Sequence, residues 1–98
     1  MPKSYWIAHV DLFDTENYPA YLTASTKAVT SQGGRFQVRG GKCEQPEGQL
    51  KARHVLVEFP SYEAALACYR SEEYQAALRL RERCARSDMI IVEGCEHN

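Results

Sequence analysis

Four polar side chains that could bind a small acidic molecule interrupt the strand-like segments of this chain. They are His9, Arg39, Glu58 and Glu93. Side chains alternate between the two faces of a sheet along each strand. If Val57 and Phe59 point toward the helices, this alternation predicts that all four polar side chains, together with His54, lie on the opposite face. We therefore expect the four to line one ligand-binding pocket there.

The chemistry of this group favours an acidic or carbonyl-bearing ligand. Arg39 can donate two parallel hydrogen bonds to a carboxylate. The two carboxylates outnumber the one permanent cation, so a proton on His9 would relieve the imbalance. His9 is therefore the candidate catalytic residue if the protein has an activity. The alternative is a network of salt bridges that only satisfies charge buried at a subunit interface.

The strand that carries Glu58 leads directly into a helix. Val55–Phe59 is apolar apart from Glu58 and contains two β-branched valines, which is typical of a buried strand. Pro60 has no N–H to donate and ends the strand, and Ser61 can cap the helix that follows. Ser71 offers a second N-cap, so the second helical region is predicted in two parts.

Hydrophobic periodicity predicts the order strand, helix, strand, strand, helix, strand. The predicted strands are Tyr5–Asp11, Arg35–Arg39, Arg53–Phe59 and Met89–Glu93. The first helix carries a stripe of apolar residues from Tyr18 to Val29, and Gly33-Gly34 ends it. The tyrosines at positions 18, 21, 62, 69 and 74 recur at helical spacing and are interpreted mainly as core residues.

Two β-α-β halves with right-handed crossovers give an α+β, ferredoxin-like fold with a four-stranded antiparallel sheet. The 98 residues are expected to form one domain. The helices then cover one sheet face and leave Ile7, Leu56 and Ile91 on the other. An uncovered apolar face needs a partner, and we expect a second copy of the chain, a homodimer through the open sheet face.

Composition argues against several other classes of protein. The net charge is −1, which does not favour binding to nucleic acid or to an anionic membrane. No apolar run approaches the roughly 20 residues of a membrane span, and no export signal is evident, so a cytoplasmic location is expected. The four cysteines form no C-x-x-C pair, which favours free thiols and no bound metal.

Cofactor sites are not expected either. A haem needs an axial ligand, and among the histidines only His9 is well placed, since His54 is expected to be exposed and His97 lies in the C-terminal tail. Gly40-Gly41 lacks the spacing of a phosphate loop and is interpreted as a bulge at the end of a strand. RNA-recognition domains share this strand order and stack bases on aromatic residues of the central strands, but the exposed face of the third strand here offers His54, Leu56 and Glu58, and the motif is absent.

Five sequence blocks resemble a bacterial family known as domain of unknown function 1330. They are Tyr5-Trp6-Ile7-Ala8-His9-Val10, then Gly33-Gly34-Arg35-Phe36 with Arg39-Gly40-Gly41, then Val57-Glu58-Phe59-Pro60-Ser61-Tyr62-Glu63-Ala64-Ala65, then Ser71-Glu72-Glu73-Tyr74-Gln75, and Ile91-Val92-Glu93-Gly94. The resemblance covers nearly the whole chain. It implies membership of the dimeric α/β-barrel superfamily, in which two ferredoxin-like sheets pack together, but it implies no settled reaction.

The sequence thus predicts a homodimer that binds a small acidic or carbonyl-bearing metabolite on the open sheet face. One alternative, which rests on analogy with the superfamily, is a small cofactor-independent enzyme resembling a monooxygenase or an isomerase and using the same pocket. The other is a dimer with a structural or interaction role and no ligand. A small molecule bound between the sheets would favour the first two possibilities over the third.

Overall fold

The computed structural model describes residues 2–96, so His97 lies outside the described residues. The described chain contains the strands β1 (Ser4–Leu12), β2 (Arg35–Arg39), β3 (Arg53–Phe59) and β4 (Ala85–Glu93). Its helices are α1 (Tyr18–Ser31), α2 (Tyr62–Arg70) and α3 (Glu72–Glu82). β4 begins four residues earlier than the sequence pattern predicts, because Ala85 to Asp88 continue the pairing with β1.

The strands form one antiparallel sheet in the order β2-β3-β1-β4. This order confirms the ferredoxin-like α+β fold predicted from the sequence. The predicted division of the second helical region is also confirmed, because Ser71 both ends α2 and caps α3. Its hydroxyl accepts a hydrogen bond from the Tyr74 N–H, and the Ser61 hydroxyl does the same for Ala64 at the start of α2.

The cross-strand register shows which side chains share a face. Trp6 pairs with Val57 and Ile91, and all three pack in the core beneath the helices. Ile7 is directed to the open face, where it pairs with Leu56 and Ile90. The expectation that Ile91 lies on the open face is therefore wrong, and Ile90 occupies that position.

Aromatic rings fill the core between the helices and the sheet. Trp6 packs against Phe59 and Tyr74 with ring centroids 5.0 and 4.8 Å apart. Tyr74 and Phe59 are each 1% exposed, which confirms the predicted burial of Phe59. The Trp6 indole N–H donates to the Ala65 carbonyl at 3.0 Å, so its polar group is satisfied inside the core.

In the part of the chain that the structure describes, no helix has the length and apolar character needed to cross a membrane.

Candidate functional site

The structure separates the four polar residues that the sequence pattern grouped together. His9 and Glu58 lie on the open sheet face, as predicted, since they belong to the same set of alternating positions as Ile7 and Leu56. Arg39 and Glu93 do not lie on that face. The prediction that all four share one surface is corrected on this point.

A bulge in β2 explains the position of Arg39. Phe36 pairs with Val57 and Val38 pairs with Leu56, so Gln37 is an extra residue without a partner. An extra residue reverses the direction of the side chains that follow it. Val38 is consequently directed to the open face, and Arg39 is directed toward the helices.

Glu93 occupies one of the alternating β4 positions that belong to the helix-covered side of the sheet, and not to the open face. It pairs with Ser4, whose side chain is buried on the helix-covered side of the sheet. Glu93 itself is exposed at the end of β4. Residues 89–92 are all apolar, so the sequence carries no signal of which β4 side chains are directed to the core.

On the open face, His9 is paired with a second histidine. The Nδ1 atoms of His9 and His54 are 2.9 Å apart, so one imidazole donates a hydrogen bond to the other. Glu58 forms an ion pair with Lys3 at 3.4 Å and is the cross-strand partner of Arg35. His9, His54 and Glu58 therefore already have partners within one chain.

A different set of residues surrounds a cavity between α1 and the sheet, which we call the α1–sheet cavity. Its lining residues are Trp6, Ala8, Val10, Tyr18, Tyr21, Leu22, Ser25, Val29, Phe36, Arg39, Val55, Val57, Tyr74, Arg81 and Met89. The walls are mainly aromatic and aliphatic, and a few polar groups converge on the space. An apolar cleft with a small number of polar groups is the usual form of a small-molecule site.

Arg39 connects the edge strand β2 to α1 across one side of this cavity. Its Nη2 atom donates to the Leu22 carbonyl at 3.1 Å and to the Ser25 hydroxyl at 3.4 Å. The guanidinium carbon also lies 3.9 Å from the centre of the Phe36 ring. These contacts are with neutral groups, so the charge of Arg39 remains available to an anion.

Arg53 lies beside the cavity on β3. Its guanidinium carbon is 5.5 Å from the centre of the Tyr18 ring, and its Nε atom is buried without a hydrogen-bond partner among the described residues. A buried donor without a partner costs free energy. Arg53 is thus a second cation next to the cavity whose hydrogen-bonding capacity is not fully used.

A chain of three side chains borders the other part of the cavity. Arg81 donates from Nη1 to the Tyr74 hydroxyl at 3.2 Å, and the hydroxyls of Tyr74 and Tyr21 are 2.9 Å apart. Tyr74 is almost fully buried, whereas Tyr21 and Arg81 are half-buried. α1 and α3 lie side by side, which brings Tyr21 within reach of Tyr74.

Electrostatics around the cavity favour an anion. Within residues 2–96, no carboxylate forms an ion pair with Arg39, Arg53 or Arg81. Burial lowers the pKa of Arg39; the neighbouring Tyr21 and Tyr18 act in the opposite direction, and the Arg53 cation lowers the pKa slightly further. Burial raises the pKa values of Tyr18 and Tyr74, so both remain neutral hydrogen-bonding phenols.

Among the described residues, no three His, Cys, Asp or Glu side chains are grouped closely enough to hold a metal ion. The four cysteines are free thiols, of which Cys68 and Cys84 are buried. Burial raises the pKa of Cys68 to about 12, so this thiol is a poor nucleophile.

Sequence reasoning missed the cavity because its polar residues looked like core and helix-end residues. Tyr18, Tyr21 and Tyr74 occur at helical spacing, which predicts burial but does not show what their hydroxyl groups contact. Arg81 stands among other arginines near the end of α3, where cations complement the helix dipole. A useful signal would have been several buried tyrosines combined with an arginine, Arg81, that has no acidic residue three or four positions away on its helix.

Comparison with solved structures shows the same fold in proteins of low sequence identity. A protein of unknown function from Rhodopseudomonas palustris matches with a TM-score of 0.77 and 19% identity, covering 98% of this chain and 85% of its own. SnoaB, a cofactor-independent oxygenase from Streptomyces nogalater, matches with a TM-score of 0.69 and 6% identity, covering 99% and 97%. A dimeric protein of unknown function and ferredoxin-like fold from Bacteroides fragilis matches with a TM-score of 0.56 and 12% identity, covering 94% and 96%.

Comparison with curated proteins found no significant match. The family model described as "Domain of unknown function (DUF1330)" matches residues 3–95, nearly the entire chain. This agrees with the resemblance carried by the five sequence blocks. The chain therefore belongs to the DUF1330 family.

Proposed function

We propose that this protein binds a small acidic or carbonyl-bearing metabolite in the α1–sheet cavity. The observation that carries the proposal is an apolar cavity lined by the guanidinium groups of Arg39 and Arg81, with Arg53 beside its Tyr18 wall, and with no ion pair from these arginines to a carboxylate among residues 2–96. Arg39 and Arg53 repel each other, and an anion beside them would offset this repulsion. The ligand class is the one expected from the sequence, but the site is on the other side of the sheet.

The apolar walls indicate what the rest of the ligand is. Trp6, Val57 and Phe36 offer flat and aliphatic surfaces that suit an aromatic or otherwise planar body. Arg39 would bind the acidic group, because its fork of N–H donors matches the two oxygens of a carboxylate. The proposed ligand is therefore a planar molecule with an acidic or carbonyl oxygen at one end.

Binding requires the cavity to widen. Its volume is about 30 Å³, enough for about two water molecules at roughly 10–15 Å³ each. Arg39 is half-buried and is held on α1 by hydrogen bonds to uncharged acceptors. An acidic ligand offers the Arg39 guanidinium stronger, charge-assisted hydrogen bonds than the Leu22 carbonyl and the Ser25 hydroxyl do. If Arg39 released these two groups and bound the ligand instead, the cavity would open from the β2 side.

Arg39→Ala tests the proposal. A set of aromatic carboxylates is screened by thermal shift, and the affinity of the best compound is measured by calorimetry. Loss of a charged hydrogen bond should weaken binding by about 2 kcal/mol, which is roughly 30-fold. Arg35→Ala is the matched control, since Arg35 is exposed at the other end of the same strand and its loss should leave the affinity unchanged.

Two results would count against the proposal. One is that no acidic compound of the set stabilises the wild-type protein, which would favour a structural or interaction role. The other is that Arg39→Ala and Arg35→Ala weaken binding equally, which would indicate a general effect of surface charge.

We also propose that two copies of the chain associate through the open sheet face. Its apolar positions are Val38, Leu56, Ile7 and Ile90, one from each strand, with Val92 alongside. Ile90 is 57% exposed and Val38 is 42% exposed, so the row is not covered within one chain. The protein of the solved structure from Bacteroides fragilis is described as dimeric, which supports a second copy of the chain as the partner. His9 and Glu58 would then belong to the interface.

A further inference from the structure

The chain of hydrogen bonds from Arg81 through Tyr74 to Tyr21 has a definite direction. Arg81 can only donate, so the Tyr74 oxygen accepts from it. Tyr74 and Tyr21 then share one hydrogen bond, in which either could be the donor. If Tyr21 donated, the Tyr74 proton would be left without a partner, because the Tyr74 hydroxyl makes no other hydrogen bond among the described residues. We therefore assign Tyr74 as the donor to Tyr21.

This direction leaves the hydroxyl proton of Tyr21 unused. Tyr21 is half-buried and lines the cavity, so its proton is available to a ligand there. Successive hydrogen bonds that run the same way polarise one another, and here the first donor is a cation. Tyr21 is thus a strengthened donor whose preferred acceptor is an oxygen that carries negative charge.

We propose that the α1–sheet cavity takes enols or phenols and binds them as oxyanions, with the Tyr21 hydroxyl donating to the charged oxygen. This deepens the proposed function and rests on it, because it names the chemical class of the acidic ligand. The ligand's O–H bond breaks, its electron pair remains on the oxygen, and the proton passes to water. Neither a carboxylate nor an imidazole lines the cavity within the described residues, so the site stabilises the anion without supplying a side-chain base.

The experiment uses 4-nitrophenol, whose anion is yellow and whose neutral form is not. Its absorbance is followed over a pH series with the wild-type protein in excess. We expect the acid dissociation constant of the bound dye to be about tenfold that of the free dye or more, which is a fall of about one unit or more in its apparent pKa. Binding of 4-nitrobenzoate to the same protein is measured in parallel as a carboxylate reference.

Tyr21→Phe removes the hydroxyl and keeps the ring, and Tyr62→Phe is the matched control because Tyr62 is an exposed tyrosine on α2. The fall in the apparent pKa of bound 4-nitrophenol should be largely lost in Tyr21→Phe and retained in Tyr62→Phe. Thermal unfolding of both variants checks that they are folded.

Other outcomes separate this inference from the proposed function. If 4-nitrophenol binds and ionises as it does in water, or if Tyr21→Phe keeps the full shift, the inference is overturned while the ligand-binding function stands. If 4-nitrobenzoate binds and 4-nitrophenol does not, the ligands are carboxylates and the inference is again overturned. If neither compound binds, the inference is overturned, whereas the proposed function fails only if no compound of the carboxylate set stabilises the wild-type protein.

Discussion

At the scale of single residues, the core depends on one aromatic side chain at the end of β3. Phe59 is 1% exposed and packs against Trp6, with their ring centroids 5.0 Å apart. Phe59→Ala should lower the free energy of unfolding by about 3–5 kcal/mol, because apolar burial is lost and a cavity remains. Urea denaturation followed by fluorescence measures the change. A loss under about 1 kcal/mol would mean that the ring is not packed in the core.

The burial of an individual side chain was predictable where a polar neighbour in sequence marks the opposite face of the strand. Phe59 belongs to a strand in which Glu58 marks the opposite face, so the phase of β3 could be inferred correctly. The contacts of the polar groups at the ends of long side chains were not predictable in this way. The hydroxyl of Tyr21 meets that of Tyr74, 53 positions later in the chain, and only the packing of α1 against α3 determines that pair.

At the scale of elements, the turn after β2 leaves space for the Arg53 guanidinium. Gly40 has a φ of +70°, its N–H donates to the His54 carbonyl, and a side chain at this position would overlap the Arg53 guanidinium. Gly40→Ala should therefore reduce stability by about 1–3 kcal/mol and weaken ligand binding by displacing Arg53. The measurements are thermal unfolding and calorimetry with the acidic ligand.

The adjacent glycine provides a matched control for this prediction. A side chain added at Gly41 has no neighbour within 4 Å, so Gly41→Ala should change stability and binding very little. Equal losses in the two variants would indicate that flexibility of the connection, and not space for Arg53, explains the two glycines.

The boundaries of β2 and β3 were predicted closely, yet the sheet face to which Arg39 is directed was not. Strand identity follows from composition and from the glycines that flank the segment, and both are visible in the sequence. The bulge at Gln37 depends on how β2 pairs with β3, and a single extra residue transfers Arg39 from one sheet face to the other. The family resemblance indicated the fold but not the pairing at this one position.

At the scale of the whole molecule, one face of the sheet is covered by helices and the other is not. The apolar row of the open face crosses all four strands and includes Ile90, which is 57% exposed. A stable dimer buries roughly 1,200–2,000 Å² in total, and a twofold axis would place the same row on both sides of the interface. The paired histidines His9 and His54 lie next to this row, so the interface would contain their hydrogen bond.

Sedimentation at micromolar concentration should give twice the chain mass of 11.1 kDa. Ile90→Glu should convert the dimer to a monomer, because it would bury an unpaired charge in the interface. Thr23→Glu introduces the same charge on the exposed surface of α1 and should leave the dimer intact. A wild-type monomer, or a dimer that tolerates Ile90→Glu, would show that the open face is not the interface. Ligand binding in the α1–sheet cavity would survive that result, because residues of a single chain surround the cavity.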